Sequence, residues 1–215
     1  MDNTLLVRDV SKTIASKAIL KNVTLSLHGG TIYGFCGENG SGKTMLFRIL
    51  SGLVKPTRGT VLLNGKNVHR CIGDLKIGVI IENANLWPYM TGRENLYFLS
   101  SLTHRISPDE IDAALKRVGL DPKNRLPIKK YSLGMRQRLA LAQAVMEKPD
   151  FLFLDEPTNS IDQNGIALTR RIIREEAERG SVVLLASHME QDISELCGTV
   201  YEVDAGVVRM REEKR

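Results

Sequence analysis

The 215-residue sequence lacks any apolar run near the roughly 20 residues that a membrane-spanning helix needs. Its first residues carry Asp2, Arg8 and Asp9 where a secretory signal peptide would have an apolar segment. Only three cysteines are present, without a C-x-x-C pair, which argues against a disulfide framework and against a zinc site. We therefore expect a cytoplasmic chain whose thiols are reduced and mostly buried.

Aromatic residues make up only 5% of the chain, and this scarcity narrows the kinds of anionic partner that its positive charge indicates. A formal net charge of +5 suits an anionic partner such as a nucleotide, a nucleic acid or a membrane surface. Few aromatics interleave the densest basic stretch, so a solvated face is favoured over a surface that reads nucleic acid. That stretch contains Lys123, Arg125, Lys129, Lys130, Arg136 and Arg138.

What the sequence does have is an alternation of strand-like apolar runs with helical periodicities. This pattern is typical of an α/β fold with a largely parallel sheet. The early apolar segments 5–10, 19–27 and 60–68, the last of them around Asn64-Gly65, predict an antiparallel β layer at its edge.

Residues 86–147 lose strand character and gain helical patterns, which predicts a helical subdomain inserted into the core. The length suits one compact unit, not two ordinary domains. We therefore expect a single domain over residues 1–215, in which 1–85 and 148–215 form the α/β core with its β subdomain.

A glycine-rich loop follows the buried-strand pattern at residues 31–36 and matches the phosphate-binding P-loop in full. Its glycines permit positive φ and let backbone N–H groups approach phosphate oxygens closely. Lys43 would reach the β- and γ-phosphates, and Thr44 would offer its hydroxyl to magnesium. A glycine-rich turn with an incidental Lys-Thr pair is the disfavoured alternative. The loop consists of Gly37, Glu38, Asn39, Gly40, Ser41, Gly42, Lys43 and Thr44.

Four apolar residues at 151–154 fit a buried central strand, and two carboxylates follow where it ends. Ligands of parallel sheets gather at the carboxyl ends of their strands. Asp155 suits a magnesium shell, directly or through water, and Glu156 would point elsewhere and polarise an attacking water. Without the P-loop, an acidic strand end leading into the turn at Pro157 would be the preferred interpretation.

Two further residues become candidate phosphate contacts because the P-loop and the acidic strand end are present. His188 follows the apolar run 181–187 at the same predicted sheet edge, which makes it a candidate contact for the γ-phosphate and water. Ser132 precedes a helical apolar pattern and stands where an N-cap belongs, so a second anion-binding helix end is expected there. An N-cap serine is usually only a cap, and the residues alone leave open whose phosphate would be bound.

In this order the segments resemble the nucleotide-binding domain of ABC ATPases, over nearly the whole chain. Residues 37–44 are similar to Walker A, Leu154-Asp155-Glu156 to Walker B, and His188 to the switch histidine.

Residues 131–138 resemble the family's signature motif, in the Y-S-x-G-M-x-Q-R form that is frequent among exporter-type subunits. Ser132 and Gly134 match, and Leu133 stands where glycine is usual. Residues 159–162 resemble the D-loop, whose Asp162 is implied to communicate across a dimer interface.

Two positions depart from the family's pattern. Ile14 stands where an aromatic residue often stacks on adenine, and Glu82 stands where the Q-loop glutamine is expected. Glu82 can still accept at magnesium or water and couple the core to the helical subdomain. Residues 86–96 resemble the stretch that contacts the membrane partner, with Trp87 and Tyr89 as natural anchors.

The resemblance implies a P-loop, RecA-like core that binds ATP with Mg²⁺ and hydrolyses ATP for an ABC transporter. A separate transmembrane permease subunit and a second copy of the chain are the implied partners. Two copies would sandwich two ATP molecules between the P-loop of one and Ser132 and Gly134 of the other. Lys43, Glu156 and His188 are then the catalytic residues.

The implied location is peripheral, on the cytoplasmic face of the cell membrane. Thr44, Asp155 and Glu82 are the implied magnesium residues. The signature form and the short chain favour export over import. A soluble ABC protein of translation or DNA repair is one alternative, but such proteins usually carry two cassettes or a long coiled coil. A regulatory module that only senses nucleotide is another, and it would be expected to lack Glu156 or His188.

Overall fold

The computed structural model describes residues 3–82, 86–159 and 161–211. The strands in chain order are β1 (Thr4–Ile14), β2 (Lys17–His28), β3 (Ile32–Cys36), β4 (Arg58–Leu63), β5 (Lys66–Asn67), β6 (Ile77–Ile80), β7 (Phe151–Asp155), β8 (Val182–Ala186), β9 (Thr199–Asp204) and β10 (Val207–Met210). The helices are α1 (Lys43–Leu50), α2 (Gly92–Thr103), α3 (Pro108–Arg117), α4 (Leu133–Val145), α5 (Gln163–Glu178) and α6 (Glu190–Leu196). Single 3₁₀ turns occur at Ile72–Asp74 and Ile128–Lys130.

The early segments form the predicted antiparallel layer. Its four strands lie in the order β2-β1-β4-β5, and each neighbouring pair runs antiparallel. Asn64 and Gly65 connect β4 to β5 with φ values of 49° and 75°. Two successive residues with positive φ match the right-handed twist of a hairpin, which is why Asn-Gly marks such turns.

A second sheet of six strands has the order β10-β9-β3-β8-β7-β6. From β9 to β6 all neighbours are parallel, and β10 adds an antiparallel edge. The predicted α/β class with a largely parallel sheet is confirmed. Three strands of this sheet, β6, β9 and β10, are absent from the sequence-based prediction.

The central strands are apolar on both faces because each face packs against a different layer. On β7, Phe151 and Phe153 face the cluster that includes α1 and the antiparallel sheet. Leu152 and Leu154 face the cluster formed with α4 and α5. This two-sided burial explains the uninterrupted apolar run and holds the end of β7 rigidly in place.

Between residues 86 and 147 the regular elements are α2, α3, α4 and the second 3₁₀ turn, as the loss of strand pattern predicts. Thr91 with Glu94 and Ser107 with Glu110 form capping boxes that start α2 and α3. Apolar residues of these helices join the cluster under β7, so the segment packs against the core. Its separation as a subdomain remains a prediction.

The three cysteines are free thiols, as expected, but each is only partly buried. Cys36 ends β3, and Cys197 follows α6, so neither lies in the middle of a core element. Burial raises the pKa of the Cys197 thiol to about 12 and also raises the pKa of Cys36. The expectation of mostly buried thiols is therefore wrong in degree.

Candidate nucleotide-binding site

The carboxyl ends of β3 and β7 open onto one cavity of about 430 Å³. The P-loop residues Asn39, Gly40, Gly42, Lys43 and Thr44 line it, together with Glu82, Asp155 and Glu156. Segments that lie more than a hundred residues apart in the chain meet here because β3, β8 and β7 are adjacent parallel strands. The position is the usual one for a ligand of such a sheet.

The loop between β3 and α1 requires glycine at specific positions. Gly37 and Gly42 have φ values of 149° and 116°, which residues with a Cβ rarely adopt. A Cβ on Gly37 would lie 2.2 Å from the carbonyl oxygen of Val203. The backbone can therefore curl tightly over the start of α1 only with glycine at Gly37.

Lys43 lies under this loop, with its side chain largely buried. Its Nζ donates hydrogen bonds to the carbonyl oxygens of Gly37 at 2.6 Å and Glu38 at 2.9 Å. Because both acceptors are carbonyls and not carboxylates, the positive charge remains available to an anion in the cavity. The N-terminal end of α1, which starts at Lys43, adds its own preference for negative charge.

Thr44 and Asp155 meet directly at the floor of the cavity. The Thr44 hydroxyl donates to Asp155 Oδ2 at 2.6 Å. Burial is the main cause that raises the pKa of Asp155, and this hydrogen bond and the nearby Lys43 oppose it. A hydroxyl and a carboxylate oxygen are ligands that Mg²⁺ accepts. Within the described residues no group of three or more His, Cys, Asp or Glu side chains could hold a metal alone.

Glu82 also lines the cavity, but its carboxylate pairs with Arg48 at 2.5 Å instead of with Thr44 or Asp155. Arg48 lies on α1, one helical turn after Thr44, and it lines the same cavity. Glu82 has a φ of 58°, which is uncommon for a residue with a side chain. The structure thus brings Glu82 to the site and gives it a cationic partner there.

Glu156, which lines the cavity, forms a third polar pair with His188, which is not among the lining residues. His188 Nδ1 lies 2.7 Å from Glu156 Oε2. The Glu156 backbone has a φ of 53°, and its N–H donates to the Ala186 carbonyl of β8 at 2.9 Å. Burial raises the pKa of Glu156, opposed by the hydrogen bond to His188. A carboxylate with a raised pKa is a stronger base, which suits proton abstraction from water.

Ser132, Gly134 and Asp162 lie apart from the residues that line this cavity. Ser132 is the predicted N-cap of α4, and its exposed side chain accepts from the Met135 N–H at 3.2 Å. Asp162 caps α5 by accepting from the Gly165 N–H at 2.8 Å. Ser160 of the predicted D-loop lies outside the described residues.

The sequence reasoning missed three residues that line the cavity: Ile19, Met45 and Arg48. Helical spacing from Thr44 could have identified Arg48, because residues four apart share a face. Ile19 has no such signal, since it reaches the cavity only through packing of β2 over the P-loop. Ile14, the predicted base contact, is 46% exposed at the end of β1 and does not line the cavity.

The stretch predicted to contact a membrane partner is rich in exposed aromatics. Trp87 and Tyr89 are 40% and 79% exposed. Trp87 packs edge-on against Phe98, with ring centroids 4.6 Å apart, and the Lys129 Nζ lies 4.4 Å from the Tyr89 ring centroid. In the described part of the chain no helix combines the length and hydrophobicity needed to cross a membrane.

Comparison with known proteins gives consistent matches. The family profile described as "ABC transporter" matches residues 20–159. An uncharacterized ABC transporter ATP-binding protein of Bacillus subtilis, YybJ, is 42% identical over 96% of this chain and 95% of its own length. The bacitracin transport ATP-binding protein BcrA of Bacillus licheniformis is 35% identical over 96% of this chain and 68% of its own length.

The lantibiotic transport ATP-binding protein SrtF of Streptococcus pyogenes is 34% identical, over 92% of this chain and 87% of its own length. Among solved structures, an ATP-binding subunit of an ABC transporter superimposes with a TM-score of 0.88 at 23% identity. The match covers 97% of this chain and 90% of that one. A dimeric ATP-binding cassette bound to ADP and Pi also gives 0.88 at 23% identity, covering 98% and 99% of the two chains. These structural matches establish the shared fold.

Proposed function

The chain belongs to the ABC transporter family of ATP-binding proteins, and we propose that its cavity binds ATP with Mg²⁺ and hydrolyses it to drive a separate membrane subunit. The observation that carries this proposal is the convergence of three pairs at one sheet edge. They are Lys43 under the P-loop, Thr44 with Asp155, and Glu156 with His188. Together they supply an anion site, hard oxygen ligands and a base.

The phosphates would lie over the P-loop, beside the N-terminal end of α1. Lys43 neutralises the β- and γ-phosphate oxygens. Thr44 and Asp155 fit Mg²⁺, which proteins usually hold through one or two carboxylates together with substrate phosphates. When bound, the ion offsets the negative charge of the phosphate oxygens. Glu82 is close enough to the same cavity to contribute, once it leaves Arg48.

The reaction asks for positioning and charge stabilisation more than for covalent chemistry. Glu156 orients a water towards the γ-phosphorus and accepts its proton as the new P–O bond forms. The bond from that phosphorus to the bridging oxygen breaks, and ADP leaves with the electron pair. His188 holds the Glu156 carboxylate at 2.7 Å and is available to contact the transferred phosphoryl group. Lys43 stabilises the charge that develops on the phosphate oxygens.

A second copy of the chain would complete each site. The N-terminal end of α4 is an anion-binding position, and its cap Ser132 is exposed to solvent. Because Ser132 and Gly134 do not line the cavity of their own chain, we propose that they face the γ-phosphate bound by a partner copy. Asp162, at the start of α5, would then lie near the interface between the copies.

We further propose that the exposed surface around Trp87 and Tyr89 contacts the permease, which places the chain on the cytoplasmic face of the membrane. The exporter-type signature favours export as the direction of transport. The relatives named for bacitracin and lantibiotic transport support a role in transport.

The proposal is tested by measuring phosphate release from Mg²⁺-ATP by the purified chain and its Glu156→Gln variant. Glutamine keeps the size of the side chain but cannot accept a proton, so turnover should fall at least ~100-fold while ATP still binds. The variant should then accumulate as a dimer, seen in size-exclusion chromatography at about twice the monomer mass and reversed by ADP.

Glu178→Gln is the matched control, because Glu178 is exposed near the end of α5. It should leave both turnover and mass unchanged. Near-normal turnover by Glu156→Gln would remove Glu156 from the mechanism. A wild-type chain that binds but never hydrolyses ATP would contradict the proposed activity itself.

A further inference from the structure

A buried carboxylate outside the cavity joins the two segments that carry Glu156 and His188. Asp192, in α6, is fully buried. Its Oδ2 accepts hydrogen bonds from the Thr158 hydroxyl at 2.5 Å and from the Ser187 hydroxyl at 3.2 Å. Its Oδ1 accepts from Arg170 Nε at 2.7 Å. The three donors are themselves at least nine-tenths buried.

The positions of the two hydroxyl donors connect this cluster to the reaction. Thr158 is two residues after Glu156, and Ser187 is one residue before His188. The strands β7 and β8 that precede them stop pairing at Asp155 and Ala186. A single carboxylate oxygen therefore bridges the two chain segments just beyond the point where the sheet no longer aligns them.

The Glu156–His188 contact needs such support. The His188 side chain is 61% exposed, and an exposed ion pair or hydrogen bond holds two side chains only weakly. Glu156 also has a left-handed backbone, a conformation that persists only where its surroundings enforce it. The bonds from Asp192 are buried, so water does not compete with them.

The Arg170 charge accounts for only one oxygen of Asp192. Arg170 pairs with Asp192 Oδ1 at 2.6 Å and with the partly exposed Glu195 Oε2 at 2.9 Å, whereas Asp192 Oδ2 takes no part in either ion pair. What Asp192 alone does is accept from Thr158 and Ser187 at the same oxygen. Ser187 also accepts from the Met189 N–H at 3.1 Å, which orients its hydroxyl and fixes the chain on both sides of His188.

We propose that Asp192 is a positioning residue for ATP hydrolysis, whose buried carboxylate clamps Thr158 to Ser187 and thereby holds His188 and Glu156 in register. The inference rests on the proposed ATPase function. Asp192 is fully buried and does not line the cavity, so its loss should act on the chemical step and not on ATP binding. A displacement of about 1 Å in a reacting group is enough to lower a rate about a hundredfold.

The test compares three variants by their turnover and by their affinity for ATP without hydrolysis. Asp192→Asn should lower kcat at least about tenfold while the Kd for ATP stays within about twofold. The double variant Thr158→Val with Ser187→Ala removes both hydroxyl donors but keeps Asp192 with Arg170. It should show a similar loss, and it keeps the test decisive if Asp192→Asn does not fold. Glu195→Gln, which alters the other partner of Arg170, is the matched control and should keep wild-type turnover.

Measuring the effect of Asp192→Asn in the Glu156→Gln variant distinguishes a positioning role of Asp192 from a purely structural one. If Asp192 acts through Glu156, adding Asp192→Asn leaves the residual turnover of Glu156→Gln unchanged, because the positioned group is already gone. A further loss by the same factor as in the wild type would overturn the proposal. Wild-type turnover in the folded Thr158→Val, Ser187→Ala variant would also overturn it. Absence of hydrolysis by the wild-type chain would instead remove the proposed function on which it rests.

Discussion

The cavity edge and the N-terminal end of α4, here called the signature end, differ in the partners that their polar side chains find within one chain. At the cavity edge, Lys43, Thr44 and Glu156 each have a specific partner brought in from elsewhere in the fold or loop. At the start of α4, Ser132 caps its own helix and its side chain remains exposed. The first region has the features of a phosphate site, and the second is a helix N-terminus whose cap does not line that site.

This difference suits a separation between the residues that bind the nucleotide and the residues that turnover additionally needs. In the proposed function one chain suffices to bind the nucleotide, because the contacts of Lys43 and Thr44 are all made within that chain. The same proposal assigns turnover a further requirement, the exposed Ser132 of a second copy. Changes on the two sides should therefore have different effects on binding and on hydrolysis.

The largest effect is expected on the cavity side, from Lys43→Ala. Loss of the Lys43 ammonium under the P-loop should weaken ATP binding and lower turnover at least about 100-fold together, because the charge serves both. Equilibrium binding of a fluorescent ATP analogue and phosphate release measure the two quantities. Lys66→Ala, which removes an exposed cation of β5, should change neither. Tight binding by Lys43→Ala would contradict the assignment of the phosphate site.

On the signature side, Ser132→Arg should leave the ATP affinity of the isolated chain within about twofold, while a bulky side chain blocks the opposing site. Turnover should fall about 100-fold or more. Ser132→Asp is the sharper form, because aspartate caps helices as well as serine does but repels a phosphate. Full turnover by Ser132→Asp would show that Ser132 is only a helix cap.

A smaller effect is expected from Glu82→Gln, at the boundary of the cavity. If the Glu82 carboxylate helps to hold Mg²⁺, the Mg²⁺ concentration that gives half-maximal turnover should rise about tenfold. Its partly exposed ion pair with Arg48 contributes at most about 1 kcal/mol to stability, so the free energy of unfolding should barely change. Arg48→Gln breaks the same pair and keeps the carboxylate. Equal shifts in both variants would assign the effect to the ion pair and not to metal binding.

The smallest effect concerns the base. Ile19 lines the cavity, Ile14 is exposed, and the described lining residues include no aromatic ring that could stack on adenine. We expect the Kd values for ATP and GTP to differ by less than about a hundredfold, or ~2.7 kcal/mol. Ile14→Tyr should tighten ATP about fivefold if the end of β1 reaches the base. A preference above a hundredfold would require another residue to read the base.

Local motifs predicted the residues of the cavity edge well because each motif requires a particular backbone conformation within a few consecutive residues. The glycines of the P-loop, the apolar run before Asp155 and the run before His188 define strand ends without knowledge of the rest of the chain. Parallel pairing of those strands then brings their ends together, whatever the intervening sequence contains.

Contacts between distant segments could not be predicted in this way. The strands β6, β9 and β10 lie at or next to an edge of the six-stranded sheet, and their pairing with neighbouring strands reveals them. Ile19 lines the cavity through the packing of β2, and Asp192 meets Thr158 across 34 positions of sequence. For the signature end, the residues predicted the helix cap, whereas a role opposite a partner's phosphate came only from the family resemblance.

The most direct test of a shared site mixes two inactive variants, Glu156→Gln and Ser132→Asp. In a mixed dimer, one site combines the intact P-loop and Glu156 of the Ser132→Asp chain with the intact Ser132 of its partner. Turnover should therefore rise at least about tenfold above either variant alone, in proportion to the mixed dimers recovered through two affinity tags. Mixed dimers that form but hydrolyse no faster than the separate variants would contradict a site built from two copies.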